Sequence, residues 1–255
     1  MPHRIFSIKG KNAIVTGGSR GIGAAICNAL ADAGVNVAVV ARKAEGCEKT
    51  AAALRAKGVN AVAVCANVGK PDDCRRIVEE AVAALGGVDI LVNNAATSLS
   101  FGPSAFCSDE AFDKMFAVNV KGPFMLTKMV LPHMEKAGGG SIINIASTAG
   151  IVPPPMIGIY GVTKAALMHL TRVFAKELGA YGVRVNTVAP GLVKTEFSRA
   201  LWDSEEILNQ YLGSQPISKL TEPDDIAGAV LFLASPASGM MTGTVLPVDG
   251  GELLG

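Results

Sequence analysis

Short, unbroken apolar runs alternate along this chain with stretches whose apolar residues recur at helical spacing. Residues 13–17 (AIVTG) read as a buried strand that gives way to glycines. The next stretch, 21–33, repeats Ile22, Ala25, Ile26, Ala29, Leu30 and Ala33 along one helical face. A strand over 35–42, a helix over 44–57 and a strand over 59–68 follow. Pro71 with Asp72 and Asp73 opens another helix, because proline loses no hydrogen bond at a first helical position and acids favour the positive helix end. Strands over 88–95, 140–147 and 183–191 come next with helices between them, and 243–251 closes the series. Strands that are apolar throughout have no wet face. The pattern therefore predicts an α/β fold: a single-domain, doubly wound parallel sheet of Rossmann type, spanning 1–255 with helices on both faces. No long polar linker, low-complexity tract or repeat interrupts it. The irregular stretch 192–216, with Phe197, Leu201, Trp202 and Tyr211, is expected to be a substrate lid.

Composition narrows the functional classes. Apolar residues make up 49% and mean hydropathy is +0.37, enough for a large core and for further apolar burial between subunits. Lys plus Arg total 23 against 22 Asp plus Glu, without basic clustering, so no nucleic-acid partner is expected. No apolar run reaches membrane-spanning length, and the opening MPHRIFSIKGKNAIVTGG lacks a signal-peptide pattern. Cys27, Cys47, Cys65, Cys74 and Cys107 are odd in number and irregularly spaced, which fits reduced thiols in a cytoplasmic protein. His3, His133 and His169 show no ligand spacing with them, so no metal site is expected. The terminal ELLG is not a peroxisomal address.

Candidate chemistry lies in three places. TGGSRGIG, Thr16 to Gly23, sits where the first strand meets the first helix; Gly17, Gly21 and Gly23 supply positive φ, close backbone approach and tight packing for a dinucleotide pyrophosphate. In GIYGVTKAAL, Tyr160 precedes Lys164 by four residues. A free phenol titrates at about 10, and an ammonium one helical turn away favours its phenolate. Ser147 ends its strand at the carboxyl edge of the sheet, where a hydroxyl can hydrogen-bond an oxygen that gathers charge.

The glycine spacing, NNAA at 93–96, and Tyr160 with Lys164 together resemble the short-chain dehydrogenase/reductase family, in its single-domain branch. The likeness runs from Lys9 to Gly251, with VNVKG (118–122), PGLVKT (190–195) and VDGG (248–251) in the family's order. It implies hydride transfer between a nicotinamide nucleotide and a carbonyl or alcohol carbon. Tyr160 would exchange the proton, and Lys164 would lower the phenol pKa and hold the nicotinamide ribose. Ser147 would stabilise the substrate oxygen, and Asn119 would anchor a water in a proton relay. The resemblance further places Ser19, Arg20, Ile22, Asn94, Ala95, Pro190, Gly191, Val193 and Thr195 at the cofactor groove with the glycines, and Asn67 and Val68 beside adenine. Asn67 stands where the family often has Asp, and Ala96 where it usually has Gly.

An acid after the second strand would mark NAD, an arginine NADP. Here Ala41, Arg42 and Lys43 precede the first acid, Glu45, and Arg20 is a second cation in reach of a 2′-phosphate. NADP(H) is the expected cofactor, with NAD(H) the second candidate. Pocket walls are expected from Leu99, Phe101, Pro153, Met156, Ile157, Leu192, Phe197, Leu201 and Trp202; they carry no charge, which suits a mostly apolar ketone or secondary alcohol. The stretch 194–202 resembles NADP(H)-dependent carbonyl reductases. One alternative is a 3-oxoacyl-[acyl-carrier-protein] reductase using Lys121, Lys128, Arg172 and Lys176; another is a non-catalytic dinucleotide sensor or scaffold. The family's habit of forming homotetramers, and the apolar faces of 164–178, imply the same assembly here.

Overall fold

The computed structural model describes residues 4–213 and 215–254. Residues 1–3 with His3, Ser214 of the irregular stretch and Gly255 of the terminal ELLG lie outside the described residues. Strands β1 (Asn12–Thr16), β2 (Asn36–Ala41), β3 (Ala61–Cys65), β4 (Ile90–Asn93), β5 (Gly140–Ile145), β6 (Val183–Pro190) and β7 (Val245–Val248) pair in parallel in the order β3-β2-β1-β4-β5-β6-β7. Side chains alternate across this sheet, so each strand feeds two cores. Ala13, Val15, Val37 and Val39 pack with Ile26 and Leu30 of helix α1 (Gly21–Asp32). The same core takes Leu54 of α2 (Ala44–Arg55) and, far along the chain, Ile226 and Val230. Ile14, Ala38 and Val40 point the other way, onto Ile77 of α3 (Pro71–Leu85) and residues beyond it. A short helix, α4 (Asp109–Phe116), runs through a π-turn, Ala117–Lys121, into α5 (Gly122–Lys136), which adds Leu126 and Val130 to that second core. The long helix α6 (Gly158–Leu178) closes the layer with Phe174 and Leu178. The doubly wound sheet read from the apolar runs is what the chain forms.

Strand order reverses between β1 and β4, and their carboxyl ends open a crevice at that point. The glycine turn leaves β1 there, and NNAA leaves β4 beside it. Pro71 does open α3 with Asp72 and Asp73 in its first turn, and Gly86 ends it at φ 88°. The stretch read as irregular is in part helical. It holds a 3₁₀ turn Glu196–Ser198 and helices α7 (Arg199–Trp202) and α8 (Glu205–Gly213), before α9 (Pro223–Ala234). These pieces are too short to show a helical period. Local charges support them instead: Arg199 pairs with Glu196 at 3.0 Å and Asp203 at 3.4 Å, while Glu205 and Glu206 occupy the first turn of α8. Among the described residues no helix is long and apolar enough to cross a membrane, and no cluster of His, Cys, Asp or Glu could hold a metal ion.

Candidate active site

The crevice starts with the glycine turn. Gly17 and Gly21 take φ of 67° and 53°, which a Cβ would strain. A Cβ on Gly23 would lie 2.2 Å from the Gly17 carbonyl oxygen and 2.5 Å from Asn94 Nδ2, so α1 packs there only as glycine. Arg20 is the N-cap of α1 and makes no side-chain cap bond, which leaves the first helical N–H groups open to an anion. Thr195 stands across from the turn, its methyl 3.2 Å from where a Gly21 Cβ would be. This bare, donor-lined cradle fits a dinucleotide pyrophosphate. Its base is set by Thr16, whose Oγ1 accepts from the N–H groups of Asn94 and Ala95, both at 3.0 Å. Asn94 returns the tie, donating from Nδ2 to the Thr16 carbonyl at 2.8 Å. Asn94 thus shapes the turn as well as facing the crevice. Sequence reading missed Thr16, because its partners lie 78 and 79 residues away.

Asn67, expected beside adenine, accepts at Oδ1 from the Gly69 N–H at 3.1 Å. Arg42, just past β2, and Arg20 are exposed, and neither joins an ion pair among the described residues. Of the expected groove residues, Val68 and Val193 lie in the two cores, and Leu192 of the expected pocket wall is only 9% exposed.

The groups expected to transfer a proton assemble past the end of β5 and at the start of α6. Ser147 lies two residues past β5 and caps the turn Thr148–Gly150, its Oγ accepting from the Ala149 N–H at 3.2 Å. Its own hydrogen faces the Tyr160 oxygen. Tyr160 sits in the first turn of α6, at the positive helix end. Burial pushes the Tyr160 phenol well above its ordinary range, and a hydrogen bond with the facing Ser147 hydroxyl pulls it partly back. Lys164, 2% exposed, donates from Nζ to the Ile145 carbonyl at 2.8 Å and stands 5.4 Å from the Tyr160 ring centroid. Burial brings Lys164 down from 10.5 to about 7. The acidifying ammonium expected from sequence is therefore charged only part of the time at neutral pH, since the site also desolvates the cation.

That burial has a consequence for stability. Between pH of about 7 and the unfolded value, the unfolded chain binds a proton that folded Lys164 has released, so stability rises with pH. Lys164→Met should flatten this rise. The check is the difference in denaturant midpoint between wild type and variant from pH of about 6.5 to about 8.5, which cancels the buried thiols common to both. An unchanged slope would mean that Lys164 keeps its proton throughout.

Asn119 lies in the π-turn, 1% exposed. Its Oδ1 accepts from Thr97 N–H at 2.9 Å, and its Nδ2 donates to the Thr97 carbonyl at 2.9 Å and Thr163 Oγ1 at 3.0 Å. Through these bonds Asn119 ties the loop after NNAA to α6. A second buried chain seats α6: Asn93 donates to Asn144 at 2.8 Å, Asn144 to Thr171 at 2.8 Å, and Thr171 meets Thr187 at 2.8 Å. Thr163, Asn144 and Thr171 escaped sequence reading; each is a lone polar residue in an otherwise apolar face, a signal without a named partner.

The expected walls converge in part. Phe197 packs 6.0 Å, centroid to centroid, from the Tyr160 ring. Trp202 Nε1 donates to the Thr195 carbonyl at 2.9 Å, holding α7 to the loop. The Gly102 N–H donates to Met156 carbonyl at 2.7 Å, joining the 97–102 and 152–158 loops that carry Leu99, Phe101, Pro153 and Ile157. Met156 takes φ 68°, the one such non-glycine among the described residues. Leu99, Phe101, Met156, Phe197 and Leu201 are exposed, an apolar rim on these loops and α7 that Phe197 joins to the phenol.

The family model described as "Enoyl-(Acyl carrier protein) reductase" matches residues 17–252. The human "Dehydrogenase/reductase SDR family member 4" is 42% identical over 241 residues, covering 94% of this chain and 87% of that protein. Among solved structures, 7α-hydroxysteroid dehydrogenase complexed with NADH and 7-oxo glycochenodeoxycholic acid is 35% identical, with a TM-score of 0.93 over 97% of this chain and 96% of that one. A gluconate 5-dehydrogenase from Burkholderia cenocepacia, in complex with NADP and tartrate, is 32% identical, with a TM-score of 0.94 over 99% and 98%. The chain belongs to the short-chain dehydrogenase/reductase family, oxidoreductases that bind nicotinamide nucleotides and act on small molecules.

Proposed function

We propose that this chain is an NADP(H)-dependent carbonyl reductase that interconverts a mostly apolar ketone and its secondary alcohol. The carrying observation is the meeting of Ser147, Tyr160 and Lys164, with Phe197 against the phenol, at the sheet edge that also carries the glycine cradle. A bound nicotinamide nucleotide supplies the hydride, chemistry that no side chain provides. Tyr160 Oη gives its proton to the substrate oxygen in reduction and takes one in oxidation. Burial favours the protonated phenol, which suits the reducing direction. With substrate in place, Ser147 turns its hydroxyl hydrogen from the phenol to the same substrate oxygen as charge gathers there. Lys164 supports the phenolate when protonated and has N–H groups beyond the one given to Ile145. Gly17, Ser19, Arg20, Gly21, Ile22 and Gly23 cradle the pyrophosphate. Asn119 acts by holding the π-turn against α6.

Arg42, with Arg20 nearby in the groove, is the reason for choosing NADP(H). Arg42→Asp is expected to raise the KM for NADPH about ten- to a hundredfold, as a lost charge-assisted hydrogen bond does, with the KM for NADH changed far less. Steady-state kinetics with both nucleotides checks this, and equal effects would remove the assignment. The alternative read from the sequence is a 3-oxoacyl-[acyl-carrier-protein] reductase, so the substrate panel must set simple ketones against acetoacetyl thioesters. A homotetramer is part of the proposal: Phe112, Phe124 and Val173 are exposed on α4, α5 and α6, apolar faces suited to burial between subunits.

A further inference from the structure

Glu252 follows the closing VDGG stretch and lies half-buried under α8. Its Oε2 accepts two hydrogen bonds, from the Tyr211 hydroxyl at 2.7 Å and from Thr148 Oγ1 at 3.3 Å. The Tyr211 hydroxyl also accepts from the Leu192 N–H at 2.7 Å. One carboxylate and one phenol thereby join four segments: α8, the turn after β6, the turn that begins at Ser147, and the C-terminal turn. Gly191 makes room for them, since a Cβ there would lie 2.6 Å from Tyr211 Oη and 2.7 Å from Glu252 Oε2. Asp249 steadies the turn that carries Glu252 by accepting from the N–H groups of Gly251 at 3.0 Å and Leu253 at 3.2 Å. Between the Leu192 tie and the Trp202 tie lie Phe197 and Leu201, two of the five apolar rim residues.

We infer that Glu252 and Tyr211 form a latch that seats α8 and the rim over Tyr160, and so act as positioning residues for the carbonyl substrate. This rests on the carbonyl-reductase reading above. The latch touches neither the glycine cradle nor Tyr160. Loosening it weakens substrate binding in ground and transition state alike, which raises KM and leaves kcat and nucleotide affinity in place. It also frees α7, whose Trp202 is the only tryptophan in the chain.

The test uses NADPH-loaded enzyme with propiophenone as the probe ketone. Glu252→Ala and Tyr211→Phe are expected to raise KM about five- to twentyfold with kcat and the NADPH dissociation constant within about twofold. Glu252→Gln, which keeps an acceptor for Tyr211, should recover most of the loss, and Trp202 fluorescence should be quenched more readily by acrylamide in the first two variants only. The latch is overturned if KM stays at the wild-type value, if kcat or NADPH affinity falls in step with KM, or if the glutamine variant is no better than alanine. Should wild type fail to reduce propiophenone, the carbonyl-reductase reading is what suffers, and Trp202 quenching alone then decides the latch.

Discussion

Tyr160→Phe is expected to lower kcat for ketone reduction about a hundred- to ten-thousandfold while leaving the NADPH dissociation constant within about twofold. The substitution removes one oxygen and little else. The ring keeps its place 6.0 Å from Phe197, and α6 stays anchored by Lys164 on the Ile145 carbonyl and by Thr171 on Asn144. What is lost is the one group beside Ser147 that can give a proton to the substrate oxygen. Burial holds that proton on the phenol at neutral pH, so the reduction direction loses its acid outright. In the oxidation direction the phenolate is needed, and the wild-type rate should climb with pH where the variant's does not. Single-turnover kinetics separate this chemical step from nucleotide binding. A phenylalanine variant with near wild-type turnover would take the proton-transfer role away from Tyr160.

Gly23→Ala is expected to cost NADPH affinity about a hundredfold or more, because a methyl there must push the cradle apart. The clash at 2.2 Å is with the backbone carbonyl of Gly17, itself held at φ 67°, and the next, at 2.5 Å, is with an amide already bonded to Thr16 and Gly17. Neither neighbour can swing aside. Relief comes only by moving α1 off the β1–β4 edge, at about 1–3 kcal/mol for an overpacked site. For a chain of this size that is a fall in Tm of about 3–10 °C. Gly228→Ala is the control: it lies in α9, nothing stands within 4 Å of its Cβ position, and alanine should leave nucleotide affinity unchanged and stability equal or slightly higher. Nucleotide titration and thermal melts on the pair distinguish a cradle from a merely tight turn.

The sheet was legible because burial on both faces leaves few polar positions in a strand, and the runs at 13–17 and 35–42 carry that mark. The glycine turn and the Ser147, Tyr160 and Lys164 set stood out through ordered motifs that resemble one family, and the fold brings Tyr160 and Lys164 together in α6. What tertiary structure alone decides was hidden. Thr16 and Asn94 are 78 residues apart, so nothing local says that one sets the other. The apolar letters of Val68, Leu192 and Val193 look the same in a core as in a groove. The acidifying charge assigned to Lys164 assumed a wet ammonium, whereas desolvation inside the fold brings it to about 7. Helices α7 and α8 were missed because pieces this short show no period, and Glu252 because its bonds with Thr148 and Tyr211 span 104 and 41 residues.

The measurement that bears most directly on the central claim follows NADPH absorbance while the wild-type chain meets a panel of apolar ketones, with the alcohol product quantified. The account predicts one alcohol formed for each NADPH consumed, faster than with NADH at equal concentration. NADPH that binds but is never oxidised across the panel would contradict it.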